Sequence, residues 1–384
     1  MKSKWEYIPF CDAVEIWDTL RKPINSKERS ARIEGKAESE LYPYYGATGQ
    51  VGLIDDYITD GEYVLLGEDG APFLNSFAQK AYLINGKTWV NNHAHVLRSK
   101  TNNRFLCYYL NYFNYKGYVS GTTRLKLTQA QMKTIPIPNP DADEQKRIVD
   151  KIEELFSQID DGVETLNKTK EQLKVYRQAV LQDAFKNCDE KILIRDICEH
   201  VTDGDHMPPP KTNEGIPFIM ISNIENNRIN WNGTAFVGNE YFEAIDSKRK
   251  PQKGDILYTV TGSFGIPVLV DFEKEFCFQR HIALLRPNDR ILQKYFYYAL
   301  QAPDVFAQAS RGATGTAQKT VGLGVLRKII IPYVDSLEKQ NEIATEIENR
   351  MSVCDYIEQT VNNALLQAEA LRQSILKKAF EGEL

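Results

Sequence analysis

Three loops collect side chains of the kind that address phosphates and base edges. Residues 44–52 space glycines at 46, 49 and 52 among Tyr44, Tyr45 and Thr48. Residues 119–127 read "VSGTTRLKL" and residues 310–320 read "SRGATGTAQKT". Glycine lets the main chain approach a ligand, hydroxyls and backbone N–H groups donate to phosphate oxygens, and an arginine fork matches guanine. The candidate DNA contacts are therefore Tyr44, Tyr45, Thr48, Thr122, Thr123, Arg124 and Lys126, with Arg311, Thr314, Thr316 and Lys319 in the later loop. Gly/Thr loops are often plain turns, but the last two occupy matching places, each just before a long helical segment.

Motifs for catalysis fail one by one. Gly86-Lys87-Thr88 resembles a phosphate-binding loop, but Ala81 stands where its first glycine belongs. Asp141, Glu144 and Lys146 mimic a nuclease pattern, yet the acids are too close in sequence and both suit helix capping. His93 and His95 lack the acidic or cysteine partner that a metal would need. There is no adenine-methylation string of the N/D-P-P-Y/F kind and no dinucleotide-type glycine loop. No catalytic residue and no metal site is assigned.

The elements that carry the loops are duplicated. At an offset of 195 residues, 145–186 and 340–381 agree at 14 of 42 positions, ending on Arg177, Gln178, Leu181, Ala184 and Phe185 against Arg372, Gln373, Leu376, Ala379 and Phe380. The chain is two copies of one unit, a globular head followed by a long helix. Each helix is announced by a D-x-x-E box, Asp141/Glu144 and Asp335/Glu338, and is expected to end on Asn187 or Gly382. Apolar residues recur every seven: Ile152, Ile159, Leu166, Leu173 and Val180, with Tyr176 on the second seam; then Ile347, Cys354, Val361, Ala368 and Ile375, with Leu371. A rod of about 65 Å could not bury such a stripe alone, so the two helices should pair, and a twofold relation requires them to be antiparallel. Ile152, Ile159, Leu166, Ile347, Val361 and Ile375 are the candidate frame residues for docking an enzyme partner.

The predicted fold is α+β: two β-rich heads, 1–136 and 189–329, with spacer helices 137–188 and 330–384, related by a pseudo-twofold repeat. Residues 61–67 and 254–260 both read as a turn into a strand, and 92–98 resembles 280–286 with His93 against His281. The net charge of −5 conceals a segregation: residues 1–136 and 191–329 carry +3 and +2, and the helical stretches 137–190 and 330–384 carry −5 each. A DNA-binding face needs local positive potential, not a basic average. Six scattered cysteines without a C-x-x-C pair, no apolar run of about 18 residues and no signal-peptide core point to a reducing cytoplasm and no membrane role.

These residues resemble the specificity subunit of type I restriction-modification enzymes. The resemblance is carried by 42–52 ("YPYYGATGQVG"), by 135–155, by its echo at 329–348, and by the two "RQ..L..AF" endings. It covers the whole chain. It implies a non-catalytic subunit whose heads each read half of a split double-stranded DNA target, and whose helices space the heads and bind two modification subunits. S-adenosylmethionine would sit on those methyltransferases, not here, and a restriction motor subunit would complete the complex. The second head lacks a full "YYGATG" and offers 221–233 instead, which leaves its base-contacting residues unplaced. A stand-alone architectural DNA binder and a nucleotide-dependent enzyme using Gly86-Lys87-Thr88 are the competing readings.

Overall fold

The computed structural model describes residues 5–188, 190–206, 209–316 and 318–384. The chain divides into two compact units, Met1–Asn167 with Val361–Leu384, and Lys168–Thr360. Each compact unit takes one head together with part of both long helices.

In the first unit, one sheet orders Val14–Ile16, Ala94–Ser99, Tyr63–Gly67 and Ala81–Ile84, all antiparallel. Its central strand is apolar without a break because it feeds two cores. Val64 and Leu66 face the helix Asn103–Tyr112, whereas Leu65 packs with Val96 and Tyr82 on the other side. A second sheet orders Gly49–Ile54, Tyr42–Gly46, Lys87–Val90 and Thr59–Asp60, with the middle two strands parallel.

The second unit also has two four-stranded sheets. Cys198–Asp203, Ile282–Pro287, Ile256–Thr259 and Pro267–Leu269 form the first. Lys211–Thr212, Ala235–Val237, Ile216–Ile219 and Cys277–Phe278 form the other, again with one parallel pair, Phe218 opposite Cys277. Ile256 and Tyr258 enter one core and Leu257 the other, as at 64–66. The segment 221–233 is a short hairpin, Ile224–Glu225 against Arg228–Ile229. Asn226 and Asn227 both take left-handed φ, which a primed turn requires.

The long helices are Ala142–Ala184 and Leu337–Glu381. In the first unit Arg372 pairs with Asp160, and Arg147 donates to the Leu384 carbonyl. In the second unit Arg177 Nη2 lies 2.7 Å from Asp355, and Arg350 Nη1 lies 3.1 Å from Asp183. In both, rising numbers on one helix meet falling numbers on the other, so the helices run antiparallel. Ile152, Leu173, Val180, Ile347, Cys354, Val361 and Ile375 are buried, and Ile159, Leu166 and Ala368 half-buried. Tyr176 and Leu371 depart from the expected seam and stay exposed, Tyr176 lying beneath the Arg350 guanidinium.

The identical positions of the repeat explain themselves as contacts made twice. Buried Gln145 accepts from Thr101 at 2.8 Å, and buried Gln340 accepts from the Leu292 N–H at 2.8 Å. Glu153 holds Arg104, and Glu348 holds Lys294. Phe380 meets Phe105 edge-on at 5.3 Å, and Phe185 meets Tyr295 edge-on at 5.5 Å. Each closing phenylalanine thus fills the core under a head helix.

The caps are half as expected. Asp141 accepts from the Glu144 N–H at 2.8 Å. In the second copy the cap is Ser336, the residue 195 after Asp141 and one beyond the expected Asp335, and it accepts from the Lys339 N–H at 3.3 Å. Asp335 is taken by the Tyr333 hydroxyl instead. Gly382 ends its helix at φ +79°, with Glu383 N–H donating to Lys378, but Asn187 is not left-handed, so the first helix lacks that cap. Among the described residues no helix is long and apolar enough to cross a membrane.

Candidate nucleic-acid interface

The loop at 119–127 is a closed turn. Ser120 and Lys126 exchange main-chain hydrogen bonds at 3.0 and 2.8 Å. Gly70 N–H donates to Leu125, and Leu127 N–H donates to Glu68, which stitches the loop to the end of the central strand. Gly121 turns the chain at φ +97°, where a Cβ would come within 2.3 Å of the Arg124 carbonyl oxygen. The second head builds the same object. Thr314 and Thr320 exchange bonds at 3.0 and 2.7 Å, Gly262 N–H donates to Lys319, and Val321 N–H donates to Val260. Gly315 sits at φ +109° with a Cβ site 2.4 Å from the Gln318 carbonyl oxygen. Position by position, Ser120 corresponds to Thr314, Arg124 to Gln318 and Lys126 to Thr320.

Each loop walls an open groove, of about 730 Å³ in the first head and about 670 Å³ in the second. The first is lined by Gly46–Thr48, Asp69, Gly70, His93 and Arg124 among others. The second is lined by Met220–Ser222, Thr261, Gly262, His281 and Gln318 at the same places. The parallel strand pair supplies the register, because Tyr44 opposes Trp89 as Phe218 opposes Cys277. The counterpart of 44–48 is therefore 218–222. The shared sequence signal was a proline one residue before it, Pro43 and Pro217, inside strands that otherwise differ.

Of the predicted contacts, Thr48, Thr122, Thr123, Arg124, Lys126, Arg311, Thr314, Thr316 and Lys319 are exposed. Thr48, Thr123 and Arg124 share the first groove. Tyr44 is corrected to a core residue: it is buried with Trp89 and Ile54, and Arg29 covers its ring at 4.9 Å. Tyr45 is half-buried and stacked on Tyr82, and burial raises its phenol above the ordinary value. Arg311 lies in the helix Pro303–Gly312, not in the loop. Lys319 matches Leu125, and Lys126 matches Thr320, so the two loop lysines stand at different positions. The docking candidates need a correction too. Ile152, Ile347, Val361 and Ile375 are buried and Ile159 and Leu166 half-buried inside the chain, so these side chains do not form an exposed docking face.

Charge under the first groove is built in layers. Arg124 Nε lies 2.7 Å from Asp69 and Lys126 Nζ 3.5 Å from Glu68. Below them Arg21 bridges Glu68 at 2.5 Å and Asp18 at 3.0 Å. His95 is fully buried, with Nδ1 2.8 Å from Asp18 and Nε2 3.1 Å from the Leu127 carbonyl, so it pins the loop instead of ligating a metal. Burial pushes the Asp18 carboxyl up, but His95, the Val96 N–H and Gln129 outweigh it and hold it below its usual range. In the second groove, burial and the nearby Arg280 hold His281 below the ordinary imidazole value. Among the described residues no three His, Cys, Asp or Glu side chains converge to hold a metal.

Two copies of one head, each with a main-chain-fixed Gly/Thr loop over an open polar groove, on paired antiparallel helices, define a duplicated recognition protein. The chain belongs to the type I restriction modification DNA specificity family, whose domain model matches it twice, at 3–175 and 190–367. It is 28% identical, over 99% of its length and 94% of the relative's, to S.HindORF215P of Haemophilus influenzae, which bears the name of a type I restriction enzyme specificity subunit. It is 27% identical to the EcoBI specificity subunit of Escherichia coli, over 92% of this chain and 79% of that one. Among solved structures, a chain from a study of complex assembly and conformational transition in a type I R-M system matches with a TM-score of 0.73 at 16% identity, each chain covered completely. The HsdS subunit of Thermoanaerobacter tengcongensis matches at 0.51, also at 16% identity, over 100% of this chain and 99% of that one. These two show the shared fold.

Proposed function

We propose that this chain is the DNA-reading specificity subunit of a type I restriction-modification system, with each head reading one half of a bipartite duplex target. The observation that carries this reading is the recurrence of one groove, at equivalent positions, in both copies of the specificity domain. Exposed threonines, glycines at left-handed φ and basic side chains suit a phosphate backbone and base edges. The exposed faces of the helical frame bind two modification subunits, which bring S-adenosylmethionine and methylate adenine. A restriction motor subunit joins them, and the assembly works in the cytoplasm.

The chain contributes selection, not chemistry. Purified full-length chain should neither methylate nor cleave DNA, and methylation at a two-part motif should appear when its modification subunit is added. Methyl transfer by the chain alone, or methylation at one uninterrupted motif, would overturn this reading.

A further inference from the structure

We infer that the single position occupied by Arg124 in one head and Gln318 in the other selects a base in each half-site: guanine for the first head, adenine for the second. This rests on the proposed reading of the grooves as DNA sites and assigns a specificity-determining residue within them.

The two side chains start from one place in a frame that does not depend on them. The loops are closed and stitched by main-chain hydrogen bonds, with Gly121 and Gly315 at the bend and Gly70 and Gly262, at φ +80° and +70°, beneath. Arg124 lies along the Gly70 main chain, where a Cβ would stand 3.2 Å from its Nε. Asp69 takes that Nε at 2.7 Å, and the side chain remains 61% exposed. Among the described residues no other group pairs with the guanidinium, which leaves both terminal nitrogens available as donors. Two parallel donors match the N7 and O6 acceptors of guanine in the major groove.

Gln318 is exposed, and among the described residues nothing pairs with its amide. Thr261, at the place of Asp69, meets the Thr320 hydroxyl at 3.3 Å, so no carboxylate orients the side chain. An amide offers one donor and one acceptor, the complement of adenine N6 and N7. Asp69 acts as a positioning residue. It anchors the arginine through one nitrogen and opposes its collapse onto any nearby phosphate.

The test is selection from a random duplex pool by the full chain co-purified with its modification subunit, for wild type, Arg124→Gln, Gln318→Arg and Asp69→Asn. Arg124→Gln should shift a guanine to adenine in one half-site only, with preference between the two bases moving about tenfold or more. Gln318→Arg should make the reverse change in the other half only. The untouched half of each motif reports that the variant is folded. Asp69→Asn should keep the guanine but bind scrambled DNA more tightly. An altered half-site that keeps its bases, or both halves changing together, overturns the inference while leaving the two-head reading intact. Failure of the wild-type complex to select any bipartite motif removes both.

Discussion

Arg177 reaches across the helix pair to Asp355 at 2.7 Å, and the residues 195 positions away, Arg372 and Asp160, make the same ion pair in the first unit. Burial opposes the charge on Arg177, but Asp355 and Glu358 outweigh it and raise its pKa. These four residues are identities of the repeat, and their contact accounts for why they recur. Each pair is partly exposed, so a double-mutant cycle between Arg177→Ala and Asp355→Ala should give a coupling of about 0.2–1 kcal/mol that shrinks with salt. A coupling of zero at low salt would show that the pairing contributes nothing to joining the helices.

Gly121 and Gly315 should be the most sensitive positions of the two loops. Alanine at either would place a methyl within 2.3 or 2.4 Å of a carbonyl oxygen at a strongly positive φ. The turn must open, at a cost of about 1–3 kcal/mol. Gly121→Ala should weaken binding to the first half-site and leave the second unchanged, measured by titration against targets with one half scrambled.

Lysines at the loop rims should separate from the base-reading position. Lys126→Ala and Lys319→Ala are expected to weaken binding to cognate and scrambled DNA alike and to lower the salt slope by about one each. Because Lys126 is tethered to Glu68 at 3.5 Å and, among the described residues, Lys319 has no equivalent tether, Lys319→Ala should have the larger effect on scrambled DNA. Unchanged affinity and slope for both would place the phosphate track elsewhere on the heads.

Lys80 is buried, and among the described residues it has no acidic partner; its ammonium reaches the Ser76 and Asn111 carbonyls, at 3.3 and 3.5 Å. Burial lowers it from 10.5 to about 8. Below pH 8 both folded and unfolded chains carry the charge, and the folded state bears its desolvation. Between about 8 and 10.5 the folded chain alone sheds the proton, and stability rises with pH. Lys80→Met should therefore stabilise the chain at pH 7 by roughly 2 kcal/mol, an advantage that fades as pH climbs through that window. An advantage independent of pH would mean that packing, not charge, is responsible.

The duplication, the antiparallel helices and the β-rich heads were legible because they are written as periods: seven residues along Ile152, Leu173 and Val180, and 195 between copies. The groove was only half legible. Loop chemistry marked Thr123 and Arg124, but Tyr44 reads the same in sequence whether it points to solvent or, as here, to Trp89. The second groove was not legible because Phe218 to Ser222 shares almost no side chains with Tyr44 to Thr48. What the two segments share is a parallel strand register, a main-chain property. The frame residues were misassigned for a related reason. A heptad stripe announces that something covers it, and here the covering comes from the chain itself.

The core beneath the first head includes Ile375, Leu376, Ala379 and Phe380, from the last turns of the second helix, whereas Lys168–Thr360 is continuous in sequence. On a translating ribosome the order of completion is therefore inverted. The head made second can close first, and the head made first must wait, with Phe105 and Tyr109 uncovered, until the final turns emerge. Products truncated before Val361 would keep a complete second head but an open first one.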